Sequence, residues 1–194
     1  MTDMPTRRTV LITSVFAAGF FNLDPALAQP PLDPTPECRD AATLRQTEGP
    51  FFKPSSPERA DLIEPGMAGQ PIDLAGFVLT RGCKPVPGAL VDLWHADAKG
   101  DYDNSGFHWR GHQFADAEGR FRFRTIVPGN YPGRTRHFHV KVQPQGGRVL
   151  TTQLYFPGEA GNRKDELFRR ELLIRTAKNQ GSVAGRFDFV LDVR

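Results

Sequence analysis

Alternating apolar and polar side chains, the pattern of a half-buried strand, recur through the second half of the chain. In Arg120–Arg124 phenylalanine and arginine alternate strictly, so that one face of the predicted strand is apolar and the other is charged. His137–Val142 has the same period of two. Further strands are predicted at Phe77–Leu79, Leu90–Trp94, Leu150–Phe156 and Phe187–Val193. Glycine- and proline-rich turns separate these segments, which favours short strands joined by loops.

One segment departs from this period. Between Arg163 and Lys178 the apolar residues have near-helical spacing, which predicts a single helix late in the chain. Many short strands with one helix are typical of an all-β architecture. We therefore predict an antiparallel β-sandwich over residues 71–194, with long loops and one short C-terminal helix. Residues 29–70 are rich in proline and polar residues and are predicted to form an N-terminal arm on this domain.

The first 28 residues have the features of an export signal. Arg7-Arg8 precedes the apolar run Val10–Phe21, and the small residues of Ala26–Ala28 fit a signal peptidase site that would leave Gln29 as the mature start. A bilayer span needs about 20 apolar residues, so we expect no stable membrane anchor. The paired arginine predicts twin-arginine export, to the periplasm or the outside, of a protein that has already folded. An ordinary secretory signal is the alternative.

Charge and cysteine content narrow the function classes. A net charge of +3 without a basic run gives little support for nucleic acid binding. Cys38 and Cys83 are the only cysteines, and neither lies in a Cys-x-x-Cys pair. Because an exported protein meets an oxidising compartment, we expect these two thiols to form a disulfide that ties the arm to the domain.

Two tyrosines and two histidines on short segments form an unusual candidate ligand set: Tyr102, Tyr131, His137 and His139. Phenolate is a hard anion that favours a trivalent ion, while imidazole binds most first-row metals, so the set favours ferric iron over zinc, calcium or magnesium. A strand would place both imidazoles of His137-Phe138-His139 on one face. A cupin-type site is disfavoured, because no histidine follows His139. A zinc hydrolase stays open, with His95, His108 or His112 as the third ligand.

Several motifs occur in a fixed order around these residues. They are Gln46–Phe52, Leu93–Asp97, Gly100–Tyr102, Gly119–Gly129, Tyr131–Arg134, Arg136–Val142 and Thr152–Gly158. This order resembles the intradiol ring-cleavage dioxygenases, the catechol and protocatechuate type with non-haem ferric iron. The resemblance covers about residues 70–160.

The resemblance implies a role for each matching residue. Tyr102, Tyr131, His137 and His139 would bind Fe3+, with Tyr102 staying bound and Tyr131 leaving when the substrate arrives. Arg134 matches an arginine that lies over the substrate, and Gln153 matches a glutamine of the same pocket. Arg136 departs from the family pattern, and its role is open.

The implied reaction is intradiol cleavage of a catechol-type ring with dioxygen, giving a muconate-type diacid. A metal-free, transthyretin-like β-sandwich binding module is the alternative, since Pro85–Val91 and Thr125–Tyr131 would fit it equally well. The sequence leaves open which catechol is the substrate. Homo-oligomerisation is also open, because the exposed strand edges of a sandwich could pair.

Overall fold

Met1 and residues 41–193 are the part of the chain that the computed structural model describes. The predicted export signal therefore lies outside the described residues, apart from Met1. Cys38 also lies outside them, so the Cys38–Cys83 disulfide stays a prediction. Among the described residues, no helix is long and apolar enough to cross a membrane.

Two β-sheets share one apolar core between them. The strands of the described part are β1 (Pro71–Thr80), β2 (Leu90–Trp94), β3 (Arg110–Phe114), β4 (Arg120–Ile126), β5 (His137–Gln143), β6 (Leu150–Tyr155), β7 (Arg175–Asn179), β8 (Ser182–Arg186) and β9 (Phe189–Leu191). One sheet has the order β3-β2-β5-β6, and the other has the order β4-β1-β8-β7 with β9 also paired to β1. The predicted all-β sandwich is confirmed.

The antiparallel prediction holds throughout the first sheet but not the second. There β1 pairs in parallel with β8 and with β9. These two strands lie one after the other along β1, and the chain between them approaches it closely: a Cβ on Gly76 would lie 1.7 Å from the carbonyl O of Phe187. The backbone N–H of Phe77 donates to the Asp188 carboxylate at this break. Glycine at position 76 thus lets one kinked C-terminal segment follow β1.

Strict alternation on β4 separates the core from solvent. Phe121 and Phe123 are buried, while the three arginines between and beside them point outward. Each arginine meets an acidic side chain, as in the Arg122–Asp73 pair at 2.9 Å. The period of two read from the sequence is therefore the period of burial on this strand.

The helix predicted between Arg163 and Lys178 is wrong. Short 3-10 helices occupy Ala160–Arg163 and Arg170–Leu172, and the segment ends in β7. Leu172 and Ile174 are buried, but the N–H of Ile174 donates to the carbonyl O of Tyr155 at 2.9 Å instead of to a helical partner. The apolar residues pack against the edge of β6, so their near-helical spacing comes from docking on a sheet.

The described part of the predicted arm, residues 41–70, contains no helix and no extended strand pairing. Scattered backbone hydrogen bonds join it to both sheets, such as Gln46 N–H to Thr151 O at 2.8 Å in one sheet and Leu62 N–H to Arg124 O at 2.8 Å in the other. This path brings residues 47–53 across the end of β5 where the two histidines lie.

His95 lies in the interior rather than in the candidate site. Its side chain is 1% exposed and packs beside Trp109 and Phe138. Nδ1 donates to the carbonyl O of Ala96 and Nε2 accepts from the hydroxyl of Thr125, both at 2.7 Å. Burial lowers the pKa of His95 to about 4. The imidazole is a neutral structural group.

This burial predicts a specific pH dependence of stability. The unfolded chain takes up a proton at His95 below about pH 6.5 while the folded chain does not, so the free energy of unfolding falls as the pH drops from 6.5 towards 4. At pH 5 the contribution of His95 is roughly 2 kcal/mol. Urea unfolding of metal-free protein at pH 7 and pH 5 should therefore show a smaller difference in His95→Gln than in the unmodified chain. His108→Gln, which changes an exposed histidine, should keep the full difference; an equal difference in all three proteins would contradict the assignment.

Candidate metal centre and active site

Both predicted histidine ligands lie on β5, on the face of the sheet opposite to the core. The pairing register places Trp94 of β2 and Gln153 of β6 on either side of His139, and Tyr155 beside His137. Residues paired across antiparallel strands share a face, so the register gathers these side chains into one patch. The arm covers the patch, and the two histidines are only 4% and 3% exposed.

The two imidazoles turn their Nε2 atoms towards each other, 3.1 Å apart. Nδ1 of His137 lies 2.6 Å from the carbonyl O of Thr135. Because a carbonyl can only accept, Nδ1 carries the proton and Nε2 keeps its lone pair. Two nitrogen ligands at about 2.1 Å from one metal ion, set at a right angle, would lie about 3 Å apart. The Nε2 separation therefore fits two ligands of a single ion.

Packing fixes the ring of His139 from two sides. It stacks on the indole of Trp94, with ring centroids 5.0 Å apart and an interplanar angle of 8°. On another side lies Gly49, where a Cβ would come within 3.2 Å of Cε1 and where φ is +69°. Nδ1 of His139 is buried and has no hydrogen-bond partner among the described residues. The ring orientation thus depends on packing, and glycine at position 49 makes room for it.

Burial also sets the charge of both imidazoles. It lowers the pKa of His137 to about 4 and that of His139 well below its usual value. Both rings are therefore neutral near pH 7 without any metal. Neutral imidazole is the form that binds a metal ion, so no proton has to leave first.

The loops that carry the two tyrosines touch each other at a pair of glycines. A Cβ on Gly100 would lie 2.1 Å from the carbonyl O of Asn130, and one on Gly129 would lie 2.5 Å from the N of Gly100. The carbonyl O of Asp97 accepts the N–H groups of both glycines, at 3.2 and 2.8 Å. Gly100 also has a φ of +98°, which side chains rarely adopt. This contact brings the residue two positions after each glycine into the same place.

Those residues are Tyr102 and Tyr131, whose ring centroids lie 5.9 Å apart. Tyr102 lies 6.1 Å from His139 and stacks on Phe51 at 4.3 Å, while Tyr131 meets the edge of Phe51 at 5.4 Å. Burial raises the pKa of Tyr102, and the positive charges of Arg134 and Arg110 oppose that rise. A buried phenol of this kind ionises only beside a strong positive charge, such as a metal ion.

The donor types agree with the metal predicted from the sequence. Among the residues that the structure describes, no group of three or more histidine, cysteine, aspartate or glutamate side chains is placed to hold a metal ion. A zinc site of ordinary ligands, the alternative left open by the sequence, therefore lacks its third ligand there. The oxygen donors predicted for this site are the phenols of Tyr102, whose ring lies 6.1 Å from that of His139, and of Tyr131, whose ring lies 5.9 Å from that of Tyr102. The residues present fit a ferric ion, and the four ligand assignments stay predictions.

Arg134 and Gln153, the two predicted substrate-pocket residues, are joined to each other. Nη2 of Arg134 donates to Oε1 of Gln153 at 2.6 Å, and Nε2 of Gln153 donates to the carbonyl O of Thr47 at 2.8 Å. The hydroxyl of Tyr155 lies 2.9 Å from the same Oε1 and 2.9 Å from the carbonyl O of Leu167. Tyr155 is fully buried in this network, and its ring lies 6.0 Å from that of His137.

The residues whose roles were open bond to groups other than the four candidate ligands. Arg136 forms an ion pair with Glu159 at 3.2 Å. His108 is exposed and lies 3.2 Å from Glu64. His112, through Nδ1, meets the hydroxyl of Ser56 at 3.1 Å in a separate groove of about 630 Å³.

Sequence reasoning missed two charged residues behind the site. Arg110 is 1% exposed and donates to the carbonyl O of Asp103, beside Tyr102, and to that of Phe51, which stacks on Tyr102. Asp165 holds Arg134 and is 7% exposed. Neither stands in a motif. Arg110 begins β3, which is not among the predicted strands, and Asp165 lies in the segment predicted as a helix, so nothing in the local pattern indicated that either charge is buried.

Comparison with known proteins gives consistent results. A family model described as Dioxygenase matches residues 47–193. The protocatechuate 3,4-dioxygenase beta chain of Burkholderia cepacia is 37% identical over 119 residues, which cover 52% of this chain and 51% of the relative. The chlorocatechol 1,2-dioxygenase of Pseudomonas sp. (strain P51) is 29% identical over 174 residues, 75% of this chain and 68% of the relative. The chain thus spans about half the length of the first relative and two thirds of the second.

Among solved structures, the dioxygenase domain of a dioxygenase carbohydrate-binding protein fusion from Streptomyces sp. SirexAA-E is 53% identical. It superposes with a TM-score of 0.78, covering 79% of this chain and all of that domain. The matched region contains β1 to β9 and all four candidate ligands. The chain therefore belongs to the intradiol ring-cleavage dioxygenase family.

Proposed function

We propose that this protein cleaves a catechol-type aromatic ring between its two hydroxylated carbons, using dioxygen at a non-haem ferric site and giving a muconate-type diacid. The observation that carries the proposal is that two neutral imidazoles with facing Nε2 atoms lie beside Tyr102, whose ring packs against that of Tyr131. The family membership agrees with it. The names of the relatives include protocatechuate, catechol, chlorocatechol and hydroxyquinol dioxygenases, which is why the substrate is proposed only as a class.

The four ligands of the proposed site are Tyr102, Tyr131, His137 and His139. Bound ferric iron would withdraw electron density from a coordinated catecholate and make a ring carbon reactive towards dioxygen. Because both imidazoles are neutral, the two phenolates supply the protein's negative charge to the ion. Because the phenolates already offset much of the positive charge of the ion, a dianionic catechol can bind without a large excess of negative charge only if a negative ligand leaves.

Tyr131 is the ligand that gives way in this proposal. Its ring meets Phe51 only by an edge, whereas the ring of Tyr102 lies flat on Phe51. Arg110 further holds the backbone on both sides of that stack, at Asp103 and at Phe51. Tyr102 is thus fixed more firmly, and Oη of Tyr131 can take the proton of one catechol hydroxyl as a base.

Arg134 and Gln153 act on the substrate. Nε and Nη2 of Arg134 bond to protein groups, while Nη1 makes no hydrogen bond in the described part of the chain. We assign this free edge of the guanidinium to the substrate oxygens, where its charge stabilises negative charge that develops during cleavage. Gln153 holds the guanidinium in plane and lines the same pocket.

A metal-free β-sandwich binding module is the competing function. The fold is compatible with it, since a sandwich needs none of the four candidate ligands. It gives no reason for two neutral imidazoles with facing Nε2 atoms, or for a glycine contact that brings two tyrosines beside them. The metalloenzyme explains these features together.

The full-length chain expressed in a bacterial host tests the activity and the proposed export together. Protein recovered from the periplasm should begin at Gln29, as measured by intact mass, and should carry about one iron per chain. It should be reddish and open the ring of at least one member of a catechol panel, followed by the ultraviolet absorbance of the product. Metal-free and zinc-loaded protein should be colourless and inactive. Retention in the cytoplasm would contradict export alone; iron-loaded protein that is inactive on the whole panel would contradict the dioxygenase.

The ligand assignment has a test within the three tyrosines of the chain. Tyr131→Phe removes one phenolate, so the visible tyrosinate-to-iron band should shift and catechol binding should weaken. Tyr155→Phe is the matched control and should keep the band, because its hydroxyl bonds to Gln153 and Leu167. An unchanged band in Tyr131→Phe would remove Tyr131 from the ligand set, and a shifted band in Tyr155→Phe would contradict the use of Tyr155 as a control outside that set.

A further inference from the structure

The carboxylate of Asp165 is buried behind the site and accepts several hydrogen bonds. Its side chain is 1% exposed, and both oxygens accept from Nε of Arg134, at 3.0 and 2.9 Å. Oδ2 also accepts the backbone N–H of Thr135 at 3.0 Å, and Oδ1 accepts that of Leu167 at 2.9 Å. Three N–H groups from two segments of the chain therefore meet on one buried carboxylate.

One of these bonds leads to the candidate metal ligand His137. Thr135, held by Asp165 through its N–H, gives its carbonyl O to Nδ1 of His137 at 2.6 Å. The hydroxyl of Thr135 donates to Oδ1 of Asn162 at 2.9 Å, which anchors the same residue a second time. The position of Thr135 fixes the tautomer and the direction of the His137 ring.

The second bond leads to the substrate side. Arg134 is 18% exposed, and its ion pair with Asp165 uses the Nε edge of the guanidinium. Oε1 of Gln153 accepts from Nη2, so the planar guanidinium is held at two points. Nη1 is left without a hydrogen bond among the described residues. A bidentate or multiply bonded arginine loses little further freedom when it meets an anion.

We propose that Asp165 is a positioning residue for ring cleavage: its buried carboxylate holds Arg134 against the substrate. This inference rests on the proposed function, because the role of Arg134 belongs to that reaction. Asp165 itself touches neither substrate nor metal.

The charge of Asp165 is necessary for this arrangement. An asparagine would offer one acceptor oxygen to the three N–H groups, and its own amide N–H2 would face at least one of them. A buried donor left facing another donor costs its desolvation energy. We therefore expect Asp165→Asn to release Arg134, whereas Asp165→Glu keeps the charge and moves it by about one bond length.

The experiment compares Asp165→Asn, Asp165→Glu and Glu159→Gln. Glu159 is the matched control, because it forms an ion pair in the same segment but with Arg136. In iron-loaded Asp165→Asn we expect kcat/KM for the best catechol to fall about 100-fold, the usual cost of a misplaced group, with kcat carrying most of the loss. Iron content and the visible band should stay near those of the unmodified protein, because the hydroxyl of Thr135 still bonds to Asn162 and keeps the carbonyl of Thr135 beside His137. The kcat/KM of Asp165→Glu should lie between those of Asp165→Asn and the unmodified protein. The kcat/KM of Glu159→Gln should equal that of the unmodified protein.

A second readout does not depend on turnover. In the metal-free protein the Nε–H of Arg134 should give a protected arginine signal in a 15N NMR spectrum, assigned by its loss in Arg134→Lys. Asp165→Asn should lose this signal and Glu159→Gln should keep it. Retention of the signal in Asp165→Asn would overturn the proposal whatever the kinetics.

A double-mutant cycle separates positioning from general damage to the fold. If Asp165 acts through Arg134, adding Asp165→Asn to Arg134→Met should lower kcat/KM less than threefold further. A full additional 100-fold loss would overturn the proposal. Unmodified iron-loaded protein that fails to cleave any catechol would instead contradict the proposed function, while unmodified protein and Asp165→Asn that cleave equally well would contradict only the role of Asp165.

Discussion

The alternation of side chains along β5 is the constraint on which the rest of the structure depends. Phe138 and the valines that follow it face the shared core, so His137 and His139 must face the other way. A slip of one residue would place the imidazoles in the apolar interior and the phenylalanine in the metal patch. The same hydrophobic burial that holds the sandwich together therefore also holds the two imidazoles on one face, with Nε2 atoms 3.1 Å apart.

Loops outside the sheet supply the oxygen donors, and the positions of these loops are fixed in a different way from that of a strand. A strand is held by its ladder, but Tyr102 and Tyr131 are held by the contact of Gly100 with the chain at Gly129 and Asn130. Behind them a buried arginine, Arg110, and a buried aspartate, Asp165, bind backbone groups next to the functional side chains. The site thus combines a rigid strand with two loops fixed by close contact and by buried charge.

The parts of the fold that follow from local periodicity could be predicted from the sequence. The alternation in β4 and β5 gave the strands and their faces, and the rarity of tyrosine and histidine, with the motif order, gave the four candidate ligands. The segment after β6 could not be predicted in this way, because its apolar spacing fits both a helix and a segment docked on a sheet. Parallel pairing of β8 and β9 with β1 depends on the room left by Gly76, a tertiary contact that no local pattern records. Arg110 and Asp165 were missed for the same reason, since burial of a charge becomes visible only when its partners are known.

A crystal structure of the iron-loaded protein, with anomalous diffraction measured on both sides of the iron edge, tests the metal centre most directly. We expect one strong iron peak bounded by Nε2 of His137, Nε2 of His139 and the phenolate oxygens of Tyr102 and Tyr131. A peak in the groove beside His112, or no ordered iron at all between the four side chains, would contradict the metal centre.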